Sequence, residues 1–193
     1  MSEYFLYTSV RDPRARPLLE ELAFEYESRY GDLIKAEGGP SEMERYPPDR
    51  FLPPEGNFLL LVRNDEVVGG GAFMRHDERT AEFKRIWTRR DLRRQGIARK
   101  VLAELEAQSL RQGYERVYLT TGFRQPEAVG LYLGHDYTPL FELPVDPNGP
   151  RKLPFEKRLV ASASSLAATA AGALPRPSFQ ADADRVLAED ACG

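Results

Sequence analysis

Cysteine is almost absent: Cys192, next to last in a chain of 193 residues, is the only one. An intramolecular disulfide and a cysteine-ligated metal centre are therefore excluded, and a reducing compartment is the natural expectation. Histidine is scarce too. His76 falls in an expected turn and His135 just past an expected helix, neither at metal-ligand spacing from a partner. No metal is expected, and both rings are expected at the surface. No apolar run approaches the length of a bilayer span, and the N-terminus carries no signal-peptide pattern. Membrane association is thus not expected, and the cytoplasm is the default location. Basic charge is not in excess either: 27 Lys and Arg stand against 30 Asp and Glu, for a net charge of −3. That balance gives no support to nucleic acid as a partner. Also missing are the Gly-x-x-x-x-Gly-Lys-Ser/Thr loop of nucleoside-triphosphate sites and the three glycines of a dinucleotide fingerprint.

What is present suits one domain of ordinary size, expected over residues 1–160. From Ala161 to Gly193 the composition turns Ala-, Ser- and Pro-rich, and a weakly ordered tail is expected there. Hydropathy and turn signals give an α/β (α+β) order. A strand over Tyr4–Val10 precedes a helix from about Arg16 to Gly31, then a loop to residue 56 with a short helix around Glu42–Tyr46. Three antiparallel strands follow: Asn57–Arg63, Glu66–Met74 across a tight Asn64-Asp65 turn, and Thr80–Thr88. Gly69-Gly70-Gly71 marks a bulge or a close backbone approach. A helix over Ile97–Gln112, a strand over Arg116–Thr121, a helix over Pro126–Leu133 and strands over Tyr137–Leu143 and Phe155–Val160 complete the plan.

The most telling stretch is Arg93-Arg94-Gln95-Gly96-Ile97-Ala98. A strand, a loop whose glycine leaves the backbone open, and a helix start together make an anion cradle. Unpaired N–H groups and the positive end of the helix dipole point at whatever sits there. A phosphorylated cofactor is the expected ligand.

The pattern Arg-x-x-Gly-x-Ala resembles the pyrophosphate loop of the GNAT superfamily of N-acetyltransferases. Ala81–Trp87 resembles that family's fourth strand, and Gln125-Pro126-Glu127-Ala128-Val129-Gly130-Leu131-Tyr132 its Asn/Gln-x-x-Ala-x-x-Leu-Tyr segment on the last helix. The resemblance is good over roughly residues 57–143. It implies a mixed, mostly antiparallel central sheet, splayed between strands 4 and 5 and flanked by helices. It further implies acetyl-CoA as the cofactor, a small-molecule or peptide amine as the acceptor, and a homodimer as a common assembly.

Site roles follow from the same resemblance. Arg93, Arg94, Gln95, Gly96, Ile97, Ala98 and Arg99 would take the pyrophosphate. Ile86, Trp87 and Thr88 would offer the freed edge of the fourth strand to the pantetheine arm. Gln125 would tie the last helix to the fifth strand. Tyr132 would be the acid that protonates the leaving thiolate, and Glu82 a general base. Glu25, Tyr26, Arg29 and Tyr30 are substrate-side candidates by position. Three departures stand out: Arg94, Ala98 and Asp136 occupy places where the family commonly has glycine. The acids Glu20, Glu21, Glu25 and Glu27 on the first helix mildly suit a cationic acceptor. A non-catalytic acyl-CoA sensor is the alternative function. Nucleic-acid binding by the basic cluster from Arg85 to Lys100 is a weaker one, since Trp87 is the only aromatic within it.

Overall fold

Strand β2 (Asn57–Arg63) is buried on both faces, and its residues divide between two cores. Leu59 and Leu61 join Phe73, Phe83, Leu102, Leu105 and Phe155 on one side of the sheet. Phe58 and Leu60 join Leu18, Leu22, Phe51 and Trp87 on the other. A strand covered on both faces reads as an unbroken apolar run rather than an alternation, and Phe-Leu-Leu-Leu-Val is such a run. The computed structural model describes residues 2–37, 43–146 and 149–160. The expected tail, 161–193, lies outside the described residues, as does Glu42.

Around β2 the sheet is seven-stranded among the described residues. The other strands are β1 (Glu3–Thr8), β3 (Glu66–Arg75), β4 (Thr80–Thr88), β5 (Arg116–Gly122), β6 (Thr138–Pro139) and β7 (Lys152–Arg158), in the order β1-β2-β3-β4-β5-β7-β6. All pairs are antiparallel except β4–β5. Helix α1 (Arg16–Glu37) supplies one core; α2 (Ile97–Arg111) and α3 (Pro126–Leu133) supply the other. The β2–β3 hairpin turns on Asn64 and Asp65 at φ 50° and 65°, the pair of left-handed residues a two-residue turn requires.

The triglycine at 69–71 lets both layers close onto the sheet. A Cβ on Gly69 would stand 2.6 Å from Ile97 Cγ2, one on Gly70 2.7 Å from Leu18 Cδ1, and one on Gly71 2.9 Å from Leu105 Cδ1. Ile97 is the first residue of α2, so Gly69 sets how near that helix start sits to β3 and β4.

Several expected boundaries move. Helix α1 runs past Gly31 to Glu37. A glycine ends a helix when it turns left-handed. Gly31 has no positive φ, and its neighbours are anchored from outside the helix: Arg29 donates to the Arg124 carbonyl at 2.6 Å and Asp32 pairs with Arg124 at 2.9 Å. Residues 43–46 are turn rather than helix, and the helical piece is a 3-10 turn at Pro48–Phe51. Pro47, held extended, starts it. The first strand stops at Thr8 because Ser9–Asp12 closes a turn. The expected strand over Tyr137–Leu143 shrinks to Thr138–Pro139, since proline brings no N–H to a ladder. The last strand begins earlier, at Lys152, and ends at Arg158. His76 is exposed as expected, but His135 is half-buried: its Nδ1 lies 2.6 Å from the Leu131 carbonyl, and Arg99 Nε donates to its Nε2 at 2.9 Å.

Candidate active site

Strands β4 and β5 pair from Thr80–Arg116 to Phe83–Leu119 and then part. β4 continues to Thr88 and β5 to Gly122 with no further partner between them. A bulge in β4 accompanies the parting. Against β3 the register steps between Gly70 and Ala72, so Arg85 and Ile86 together face Gly71, and Arg85 takes a left-handed φ of 58°. The buried Arg85 is over-determined by its surroundings: Nη2 donates to the Met43 carbonyl at 3.0 Å, and the guanidinium sits 4.5 Å from the Phe51 ring centroid.

The gap between the strands opens into a cavity of about 1120 Å³. At one end lies the loop before α2. There Arg94 has φ 62° and Gly96 φ 78°, and Gly96 caps the helix without a side-chain bond. Among the described residues, the amides of Gly96, Ile97, Ala98 and Arg99 donate to no backbone carbonyl; the first such bond is Lys100 N to Gly96 O at 3.1 Å. Those amides and the helix dipole face the cavity end as an open anion cradle.

On the β5 side, Gln125 precedes α3. Its Oε1 accepts from Gly122 N and from Thr121 Oγ1, both at 3.1 Å, and so fixes the helix to the freed end of β5. One face of α3 then presents Tyr132, whose ring packs on Tyr137 and Phe155 at 5.6 and 5.4 Å between centroids. Burial pushes the Tyr132 phenol above the ordinary tyrosine range, so it holds its proton at neutral pH. Its hydroxyl has no hydrogen-bond partner among the described residues.

Helix α1 closes the third side. Glu25 bridges Arg93 at 2.7 Å and Arg29 at 2.8 Å, while Arg29 also pairs with Glu127. Tyr30 Oη accepts from Arg124 N at 3.1 Å, and a Cβ on Gly122 would stand 2.1 Å from that oxygen. Trp87 is 2% exposed; its indole belongs to the α1 core and donates to Glu21 at 2.9 Å.

The sequence of residues 5–135 matches the Acetyltransferase (GNAT) family. The chain belongs to that family. A curated relative, the uncharacterized N-acetyltransferase YsnE of Bacillus subtilis (strain 168), is 34% identical over 74 residues, 38% of this chain and 49% of that protein. The chain thus aligns with about half the length of that relative. Among solved structures, the PaiA N-acetyltransferase from Thermoplasma acidophilum in complex with coenzyme A is similar at TM-score 0.61 and 17% identity, over 82% of this chain and 99% of that one. A GNAT family acetyltransferase from Elizabethkingia anophelis with acetyl-CoA bound gives TM-score 0.57 and 19% identity, over 81% and 98%. The fold is that of the family: a mixed sheet with β4 and β5 parallel and splayed.

Of the residues singled out from the sequence of this GNAT acetyltransferase, all but Gln95 and Glu82 line the one cavity. Glu82 sits on the sheet beside it, its carboxylate 2.8 Å from Lys84 and 3.7 Å from His76. Of the three places where the family's common glycine is replaced, Arg94 and Asp136 have left-handed φ, 62° and 61°, which is why glycine suits them; Ala98 is helical, inside α2. The acids of α1 do not line the cavity as a group. Only Glu25 does, and two arginines hold it.

Sequence reasoning missed Thr120, Thr121 and Gly122 on the second lip, and Arg45, Lys84, Arg151 and Lys152 on the wall. The signal for the lip was available: once β4 and β5 are taken to diverge, the C-terminal residues of both strands border the gap. The basic wall had no local signal, because it is assembled from three separate segments. No group of His, Cys, Asp and Glu among the described residues could hold a metal ion. No helix among them is long and apolar enough to cross a membrane.

Proposed function

We propose that this chain is an N-acetyltransferase that moves the acetyl group of acetyl-CoA to a primary amine by direct attack in a ternary complex. One observation carries the reading: a single cavity joins the open amides at the start of α2, the unpaired edge of β4 and the Tyr132 ring. The residues fit the cofactor. Amides of Gly96 to Arg99 take its diphosphate, with Arg93, Arg94 and Arg99 adding charge. The edge from Ile86 to Thr88 pairs with the pantetheine arm, and about 1120 Å³ leaves room for an acceptor.

Acetyl-CoA supplies an activated thioester; the chain holds it and manages charge and protons. A main-chain N–H on the freed edge of β4 donates to the thioester carbonyl, and donors aimed where charge develops are the largest common contribution to such catalysis. The buried Tyr132 hydroxyl donates its proton to the departing thiolate. Glu82 is committed to Lys84 and lies off the cavity wall, so we assign the acceptor's proton to solvent rather than to that carboxylate. The only cysteine is Cys192, and no covalent acyl-enzyme is invoked.

Incubation of the pure protein with acetyl-CoA and a panel of amines, with titration of released thiol, tests the proposal. Amine-dependent release supports it. Binding of coenzyme A with no amine-dependent release identifies a sensor instead.

A further inference from the structure

Two nitrogens of one imidazole tie the end of α3 to the start of α2. Helix α3 closes with Asp136 left-handed at φ 61° and Tyr137 N donating to the Tyr132 carbonyl at 3.1 Å, a common way for a helix to stop. His135 stands inside that turn, half-buried on the cavity wall. Its Nδ1 lies 2.6 Å from the Leu131 carbonyl, one of the last-turn oxygens that a helix leaves without an amide of its own. A carbonyl only accepts, so Nδ1 carries the proton. Nε2 receives the Nε–H of Arg99 at 2.9 Å and so carries none. The ring is therefore neutral, with its tautomer fixed from both sides.

A neutral partner leaves Arg99 its charge. Arg99 is an exposed side chain in the first turn of α2, and it lines the cavity beside the open amides of the cradle. On the same wall Arg29 and Arg93 are both paired with Glu25. Arg99 has no carboxylate partner among the described residues. The imidazole thus directs the guanidinium without cancelling it. Because Nε is the nitrogen engaged, the two terminal nitrogens stay available as a fork, the geometry that takes phosphate oxygens in pairs.

Resting on the acetyl-CoA reading above, we infer that His135 is a positioning residue for the cofactor: it holds the Arg99 guanidinium at the cradle, aimed at a phosphate of coenzyme A. An exposed arginine left to itself samples many rotamers, and a ligand that uses it must offset the entropy of ordering it. The bond to His135 provides part of that order before the ligand arrives. The role concerns binding rather than the chemical step, so cofactor affinity should respond to its loss and kcat should not.

Calorimetric titration with coenzyme A, alongside steady-state kinetics, tests the assignment. His135→Leu should weaken coenzyme A binding about three- to tenfold, the ordering cost of one long side chain. The KM for acetyl-CoA should rise in parallel, with kcat little changed. His135→Gln, whose Oε1 can accept from Arg99 Nε, should recover most of the loss. Arg99→Leu should weaken binding at least as much, and His135→Leu should add nothing in that background. Damage to α3 would instead weaken binding in both backgrounds. Repeating the titrations with dephospho-coenzyme A, which lacks the ribose phosphate, identifies the group held: a penalty that persists assigns Arg99 to the diphosphate, one that vanishes to the ribose phosphate. Equal losses in the glutamine and leucine variants, additive effects in the double variant, or a fall in kcat at unchanged affinity overturn the inference and leave the transferase reading intact. Failure of the unaltered protein to bind coenzyme A overturns both.

Discussion

Replacing Tyr132 by phenylalanine should harm catalysis and spare the fold, and the two effects can be worked out separately. The ring is fixed by Tyr137 and Phe155 at 5.6 and 5.4 Å, contacts that phenylalanine keeps. The lost hydroxyl has no protein partner and opens on the cavity, so its removal exposes no buried polar group. The variant should therefore unfold within about 2–4 °C of the parent, the shift that about 1 kcal/mol produces in a domain of this size. Loss of a positioned acid should lower kcat by about 10²- to 10⁴-fold, equivalent to roughly 3–5 kcal/mol of barrier. Coenzyme A affinity should be unchanged, because the cradle lies on α2. Steady-state kinetics, calorimetric binding and thermal unfolding on one preparation suffice. An unaltered kcat refutes the acid role. A large drop in melting temperature would instead show that the hydroxyl is bonded in solution.

Further expectations concern pH and packing. Because burial raises the Tyr132 phenol, it stays protonated through the ordinary tyrosine range. The pH–rate profile should show no loss of the acid near pH 10, and the stability this group contributes should be full below that range and erode only above it. Asp12 accepts from Arg14 N at 2.9 Å and from Thr8, and the Arg14 guanidinium holds its carboxyl far below the usual range. Its contribution is present at neutral pH and fades as pH falls below about 4, the unfolded carboxylate value. Asp12→Ala should lower unfolding free energy by about 1 kcal/mol at pH 7 and by less in acid, as denaturant titration at the two pH values would show. Gly122→Ala places a methyl 2.1 Å from Tyr30 Oη. It should raise the acceptor's KM with little change in that of acetyl-CoA; an effect on acetyl-CoA alone would contradict the assignment of that wall.

Much of this was legible because local signals coincide with structural necessity. The β2–β3 hairpin turn, the bounds of α3 and the loop before α2 were readable from Asn64-Asp65, Pro126 and Gly96. In each case the residue type is dictated by its own backbone. The continuation of α1 beyond Gly31 was not readable, because Arg124 and Glu127, remote in sequence, hold that turn. The half-buried state of His135 depends on Arg99, a residue of another helix. The basic wall is the clearest instance: Arg45, Lys84, Arg151 and Lys152 belong to segments that only tertiary folding brings together. Conversely, Glu82 looks like a base in sequence, and its place off the cavity wall becomes visible only once the sheet is built.

The most direct test of the account is backbone amide exchange with and without coenzyme A. The claim is that nitrogens left unpaired by the fold grip the cofactor's diphosphate while the freed edge of β4 takes its arm. Exchange at Gly96 to Arg99 and along Ile86 to Thr88 should slow on saturation, with the remaining strands unchanged. Saturable binding that leaves the Gly96–Arg99 amides exchanging as before would contradict it.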